Sequence, residues 1–189
     1  MITSESIKTN TTFQTKKVLL WVSLGSIVMI FAALTSGYIV RQAEGNWVKF
    51  NMPRQFYLST AIIILSSVSM NSAISSIKKN LNDRATLFLA ITLALGASFV
   101  VTQYLGWIAL VQGGIHFVGN PSGSFFYVLT GLHIAHLLAG LLALIVTLVM
   151  SMQKKYKPSS CLGMQLCATY WHFLGGLWVY LFFFLLLIR

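Results

Sequence analysis

The chain contains 189 residues, of which 57% are hydrophobic and 8% are charged, and it carries a formal net charge of +10. Soluble domains carry charges on about a quarter of their residues, so this composition excludes an ordinary soluble domain and predicts a membrane protein. The basic residues are spread over short clusters instead of one stripe, which favours anionic lipid head groups over nucleic acid as their partners.

Five apolar stretches are long enough to cross a membrane as helices. A hydrocarbon core about 30 Å thick requires roughly 20 apolar residues, and these stretches lack the alternation typical of barrel strands. The sequence predicts an all-α fold, a polytopic bundle of five transmembrane helices formed by residues 16–189 behind a flexible cytoplasmic tail, residues 1–15. The predicted spans are 18–40, 56–77, 85–111, 124–150 and 166–188. We expect the first span to be retained, because no small-residue cleavage site follows it.

The distribution of basic residues predicts the orientation of the bundle. Nine of the thirteen Lys and Arg residues lie before the first span, after the second or after the fourth. The positive-inside rule then places the N-terminus in the cytoplasm and the C-terminus outside. Four lysines on this inner side are candidate contacts for lipid head groups: Lys78, Lys79, Lys154 and Lys155.

The two cysteines, Cys161 and Cys167, lie near the predicted inner end of the fifth span. This is the reducing side of the membrane, and their C-x5-C spacing matches no usual zinc or redox motif. We expect both to be free, packed thiols.

Two further patterns predict where helices meet. Small residues four apart allow close backbone approach in a membrane, and they occur in the first and fourth spans: Ala32 with Ser36, Ala33 with Gly37, and Gly131 with Ala135 and Ala139. We expect these faces to be contacts and the fourth helix to be central. The second span is rich in polar residues that we expect to bond to neighbouring helices: Ser59, Thr60, Ser66, Ser67, Ser69, Asn71 and Ser72. A polar permeation lining is the alternative.

Three histidines lie inside predicted spans: His133, His136 and His172. Ionisable groups at such depth usually carry function or hold helices together. His133 and His136 share one helical face and cannot clamp one haem, whereas His136 and His172 lie on different helices and could. A proton relay is a further possibility, although no predicted span contains Asp or Glu. The remaining interpretation is a cluster of the three histidines at a helix interface, where their side chains hydrogen bond to neighbouring helices. Motifs of soluble enzymes are missing, so we predict no catalytic residue.

Several motifs have a joint resemblance to a known family. They are Tyr170-Trp171-His172-Phe173 followed by Trp178, Gly123-Ser124-Phe125-Phe126-Tyr127, Thr130-Gly131-Leu132-His133 followed by His136, and Gln103 in the third span. Together these residues resemble subunit III of the haem-copper oxidases, in its shorter five-helix bacterial form.

The resemblance implies an accessory subunit of a respiratory cytochrome c oxidase in the bacterial inner membrane. Such a subunit holds no haem or copper and no other metal; these cofactors belong to partner subunits I and II of the proton-pumping complex. It packs on subunit I, binds phospholipid and supports proton uptake and oxygen reduction. The expected lipid cleft lies between the first two helices and the last three. A larger respiratory supercomplex is compatible with this family. Two related alternatives are also compatible with the motifs: a quinol oxidase subunit and a nitric oxide reductase accessory protein. The alternative from a different class is a b-type cytochrome.

Four acidic residues of the family are missing here. Their places are taken by Ile27, Gly106, Gln165 and Gly175. Any role of those acids in proton uptake or buried ion pairs is therefore not transferred to this chain. A histidine that has lost a carboxylate partner is costly to charge when buried. We therefore expect His172 to be neutral and hydrogen bonded to a backbone or side-chain group.

Overall fold

The computed structural model describes residues 4–154, 156 and 161–188, with side chains from residue 14 onwards. Within these residues the chain forms five helices: α1 (Ser4–Ala43), α2 (Arg54–Lys78), α3 (Asn82–Gln112), α4 (Pro121–Met152) and α5 (Leu162–Leu187). All five are long and apolar enough to cross a membrane. The predicted all-α, five-span fold is confirmed.

The helices extend beyond the predicted spans, because apolar patterning marks the part of a helix inside the membrane and not its polar end turns. The largest difference concerns α1, which begins at Ser4, inside the segment 1–15 that we predicted as a tail. Whether that segment is flexible in the cytoplasm stays a prediction, as does the orientation of the bundle.

The start of α4 fixes the connections on its side of the bundle. Asn120 is the N-cap residue, and its Oδ1 accepts a hydrogen bond from the Ser122 backbone N–H at 3.0 Å. Pro121 follows at the first helical position, where its missing N–H costs nothing. The Asn120 side chain also donates from Nδ2 to the Asn46 carbonyl at 3.1 Å. One residue thus starts α4 and holds the loop between α1 and α2.

Helices α2 to α5 form the body of the bundle. The most extensive contact joins α2 with α3, and further contacts join α3 with α4, α4 with α5, and α5 with α2. Helix α1 packs on the outside of α4 and α5. In the described part of the chain α1 does not pack against α2, so the predicted division into two and three helices is wrong. The physical reason is the short α2–α3 turn, which pairs these two helices as a hairpin.

The predicted small-residue faces contact other helices of this chain at their glycines only: a Cβ atom on Gly37 would lie 3.7 Å from Phe125 of α4, and one on Gly131 would lie 3.9 Å from Trp107 of α3. Ala32, Ala33, Ser36, Ala135 and Ala139 are exposed in the structure. Close approach occurs at other glycines, because a bulky indole ring needs space there: a Cβ atom on Gly96 would lie 2.6 Å from the ring of Trp171. Helix α4 nevertheless touches three helices, as expected of a central element, and α5 does so as well.

The residues at the predicted inner end of the bundle are in keeping with the sequence. Lys78, Lys79 and Lys154 are exposed next to helix ends, and Lys155 lies outside the described residues. Cys161 and Cys167 are buried, and neither forms a disulfide, as predicted.

Candidate functional site: polar junctions between the helices

Trp171, from the motif in the first half of α5, occupies the centre of the bundle. Its indole Nε1–H donates to Ser66 Oγ of α2 at 2.9 Å, and the ring lies against Gly96 of α3. Ser66 Oγ is in turn 3.5 Å from the Thr92 carbonyl oxygen of α3. The whole indole is buried. An indole N–H inside a membrane must find an acceptor, so this side chain fixes the position of α5 relative to α2 and α3.

Trp178 repeats the arrangement two turns further along α5. Its Nε1–H donates to Thr60 Oγ1 of α2 at 3.0 Å, and the ring is fully buried. Its ring stacks on Phe56 with 6.3 Å between centroids and meets Phe99 edge-on at 5.1 Å. The two tryptophans of the motif therefore join α5 to α2 at two levels.

Gln103 makes the corresponding junction between α3 and α2. Its Nε2 donates to Ser59 Oγ at 2.8 Å, and the side chain is fully buried. Together with Ser69 Oγ, which donates to the Phe88 carbonyl at 2.9 Å, these bonds confirm the prediction for most of the polar residues of α2, whereas Ser72 bonds to its own helix at the Val68 carbonyl. A polar permeation lining does not fit side chains that are buried and already paired.

The three histidines lie in three different environments. The His133 ring is fully buried between Phe99 and Trp178, with centroid distances of 6.0 and 5.2 Å. The Nδ1 atom of His136 lies 2.7 Å from its own helix at the Leu132 carbonyl, and the ring faces Phe31 of α1. Among the described residues no hydrogen bond joins two of these rings.

His172 bonds to a side chain of α2, as predicted. Its Nε2 lies 3.0 Å from Asn71 Oδ1. Because an amide oxygen only accepts, Nε2 carries the proton in this arrangement. His136 and His172 thus face different helices, α1 and α2, and do not present an axial pair to one haem. That His172 is neutral stays a prediction.

The other residues of the motifs also serve helix packing. Tyr170 donates its hydroxyl to the His136 carbonyl at 3.2 Å, which joins α5 to α4. Gly131 lies next to the Trp107 ring, and Trp107 Nε1 donates to Thr130 Oγ1 at 3.1 Å. Our sequence analysis missed Trp107, although a tryptophan inside the predicted third span was the available signal. Phe173 faces α1.

At the four positions that lack a family acid, the structure has filled the space with other groups. A Cβ atom on Gly106 would lie 2.7 Å from the Phe56 ring, and one on Gly175 would lie 3.2 Å from Ser67 Oγ. Ile27 is buried in the core, and Gln165 Nε2 lies 3.2 Å from Cys161 Sγ. A larger side chain at Gly106 would therefore have to displace the Phe56 ring.

A groove that the sequence did not indicate runs between α1 and α5. Its volume is about 430 Å³, and it opens towards the outside of the bundle. Its lining is almost entirely apolar and consists of Val28, Phe31, Ala32, Phe173, Gly176, Leu177 and Tyr180. At one end Tyr180 hydroxyl donates to Thr35 Oγ1 at 3.3 Å, which holds the two helices together.

No group of three or more His, Cys, Asp and Glu side chains comes together as a metal site within residues 14–154, 156 and 161–188. What the motifs build in this region is a network of helix junctions. The polar motif side chains that bond to a neighbouring helix include Gln103, Tyr170, Trp171, His172 and Trp178.

The His172–Asn71 bond gives a first prediction. His172→Phe removes it without emptying the space, and a single hydrogen bond between membrane helices contributes on the order of 1 kcal/mol. We expect the thermal midpoint of the purified protein to fall by about 2–4 °C. Asn71→Leu should have the same effect, and the double variant should fall no further.

His116→Phe is the matched control, because His116 is exposed in the loop before α4. It should leave the midpoint unchanged. An unchanged midpoint in His172→Phe would instead contradict a role of His172 in holding α5 to α2.

Comparison with known proteins places these junctions in a family. Residues 46–188 match the family described as Cytochrome c oxidase subunit III. The chain is 31% identical over 175 residues to cytochrome c oxidase subunit 3 of Corynebacterium diphtheriae, with 85% of each chain covered. It is 31% identical to the probable subunit 3 of Nocardia farcinica, covering 87% of this chain and 82% of that one, and 27% identical to that of Bacillus sp. strain PS3, covering 86% and 80%. The matched segment contains α2 to α5 and both tryptophans of the α5 motif, and it covers most of the chain. The chain therefore belongs to the cytochrome c oxidase subunit III family.

Proposed function

We propose that this chain is the accessory subunit III of a respiratory cytochrome c oxidase in the bacterial inner membrane. Membership of the family over residues 46–188 is the observation that carries the proposal. The site agrees with it, because Trp171, Trp178, Gln103 and Tyr170 are all used in helix contacts. Side chains engaged in this way support a scaffold; the oxygen chemistry would belong to haem and copper in the partner subunits.

The proposed partners are the catalytic subunit I and subunit II of the oxidase. Many apolar side chains on the outer surface of the bundle are available for such contacts, and lipid covers the remainder. Support of proton uptake by this subunit would not use the acids that relatives carry, since Ile27, Gly106, Gln165 and Gly175 replace them.

Copurification tests this function directly. An affinity-tagged chain, extracted gently from the membranes of its own organism, should bring with it a large haem-containing subunit identified by mass spectrometry. The complex should consume oxygen with reduced cytochrome c as electron donor. Absence of a haem-containing partner would overturn the proposal, and oxygen consumption with quinol alone would overturn the assignment of the donor.

We further propose that the groove between α1 and α5 holds an acyl chain of a phospholipid. Its size of about 430 Å³, its apolar lining and its opening to the outside suit a flexible hydrocarbon chain. The exposed lysines Lys78, Lys79 and Lys154 remain candidates for head-group contacts. This places the proposed lipid beside α1, where the structure leaves space, and not between α2 and α3, which pack tightly.

Filling the groove should displace this lipid. Gly176 lines it and has open space around its Cα, so Gly176→Leu places a side chain in the groove without a clash inside the bundle. We expect the purified complex to retain about one phospholipid fewer by quantitative mass spectrometry. Gly25→Leu is the control, because Gly25 also has open space but does not line the groove. Equal lipid content in the two variants would contradict the proposal.

A further inference from the structure

Two polar side chains in the middle of the bundle have atoms without a hydrogen-bond partner. Both ring nitrogens of His133 and the Oε1 atom of Gln103 are buried, and no described residue bonds to them. Neither side chain has exposed surface. Unpaired polar atoms in a membrane interior cost folding free energy and are rarely left unpaired.

The orientation of the Gln103 amide is set by its neighbour. Ser59 Oγ donates to the Phe56 carbonyl at 2.9 Å, so its oxygen must accept from Gln103 Nε2 at 2.8 Å. An inverted amide would place two acceptors against each other. The unpaired atom is therefore the Gln103 amide oxygen, which is an acceptor.

The register of α3 and α4 places Gln103 and His133 at the same level. Trp107 bonds to Thr130 across the two helices, and a Cβ atom on Gly96 would touch Leu141 of α4. These two contacts define one antiparallel register, in which Gln103 lies opposite residue 134. His133 is the residue before it in α4, and both side chains are buried inside the bundle.

Contacts with α2 and α5 link the surroundings of the two side chains. Gln103 bonds to Ser59, and the adjacent residue, Thr60, bonds to Trp178. The Trp178 ring in turn packs on His133. Phe99, one helical turn from Gln103, also contacts His133.

Any ligand of these atoms must be very small. The two side chains are covered by the helices of their own chain, so a lipid or a partner subunit cannot reach them without unfolding the bundle. Buried water commonly satisfies such groups, and it needs two or more polar partners. The unpaired atoms of Gln103 and His133 supply them.

We propose that an internal water molecule is bound between Gln103 and His133. One water O–H donates to Gln103 Oε1. The water then either accepts from the protonated ring nitrogen of His133 or donates its second O–H to the bare one, so the bridge works for either tautomer. Through Ser59 and Trp178 the water completes a polar junction of α2, α3, α4 and α5.

Density for the water is the direct test. A cryo-EM map of the complex that contains this chain, at a resolution that shows ordered waters, should show a peak about 2.7–3.2 Å from Gln103 Oε1 and from one His133 nitrogen. A map in which the two side chains bond directly to each other, or in which nothing lies between them, would overturn the proposal.

Nuclear magnetic resonance provides a second readout that does not depend on map resolution. With ¹⁵N-labelled histidine in lipid bilayers, magnetisation from water should reach the His133 ring, and the transfer should be lost in Gln103→Leu. Transfer that persists at full strength in this variant would show that Gln103 does not hold the water. Thr102→Val is the control, because Thr102 is buried beside Gln103 but bonds to its own helix at Ser98.

A stability cycle tests whether the two residues act together. If one water joins the two residues, the double variant Gln103→Leu/His133→Leu should have a thermal midpoint within about 2 °C of that of the less stable single variant. Fully additive shifts would contradict a shared ligand. All three readouts report on residues within this chain, so their outcome is independent of whether the electron donor or partner subunits are those proposed above.

Discussion

Replacing Gly106 by glutamate, the residue that the family resemblance led us to expect three positions after Gln103, should prevent the chain from accumulating in the membrane. The Phe56 ring fills this position, and even a Cβ atom would lie 2.7 Å from it. Overpacking of this kind costs about 1–3 kcal/mol, and a buried carboxylate without a partner adds several more. Quantitative immunoblotting of membranes should show a loss of at least about tenfold.

Alanine variants separate the steric part of this effect. Gly106→Ala should lower the thermal midpoint clearly, because the large Phe56 ring must move. Gly175→Ala should lower it less, since its nearest neighbour is the smaller Ser67 hydroxyl at 3.2 Å. Gly176→Ala should be neutral, because nothing lies near it. Normal accumulation of Gly106→Glu would mean that the Phe56 ring does not occupy this space in the membrane.

The sequence was sufficient to predict the number and type of the helices, because an apolar run of about 20 residues has one common structural solution in a membrane. It also predicted that the polar residues of α2 would bond to other helices. This prediction succeeded for a general reason: a hydroxyl or amide in hydrocarbon needs a partner, and the neighbouring helix is the nearest one. Ser59, Ser66 and Thr60 all follow this rule.

Helix pairing could not be predicted in the same way. Small residues four apart occur on exposed faces of α1 and α4 as well as inside the bundle, so their spacing alone does not identify the contact. The decisive contacts depend on shape: the Trp171 ring fits because Gly96 lies opposite it. Such complementarity between distant residues is invisible in a single sequence. For the same reason the groove between α1 and α5 was not foreseen.

The positions of the three histidines differ from what the sequence pattern suggested. His133 and His136 are three residues apart and share a helical face, which suggested a cluster with His172. The structure instead distributes them among three helix contacts, because α4 has neighbours on several sides and a shift of about 60° around the helix changes the neighbour. His136 faces Phe31 of α1, whereas His133 faces Phe99 of α3 and Trp178 of α5.

Truncation of Trp171 should be the most damaging change among the large core side chains. Its ring is enclosed by α2 to α5, and Trp171→Ala removes both this packing and the bond to Ser66, at a cost of about 3–5 kcal/mol. We expect the midpoint of the purified complex to fall by more than about 10 °C, or this subunit to be lost during purification. Trp171→Phe keeps part of the packing, and together with Ser66→Ala it isolates the hydrogen bond in a double-mutant cycle.

Trp21→Ala is the matched control for this experiment. Trp21 lies on α1 with 66% of its surface exposed, so the same chemical change there removes an indole that packs little within the chain. The thermal midpoint of Trp21→Ala should stay within about 2 °C of that of the unmodified protein. A similar loss in both variants would indicate that indoles stabilise this subunit through lipid or partner contacts. The central position of Trp171 predicts a large difference between them, because only a buried ring leaves a cavity that four helices cannot close.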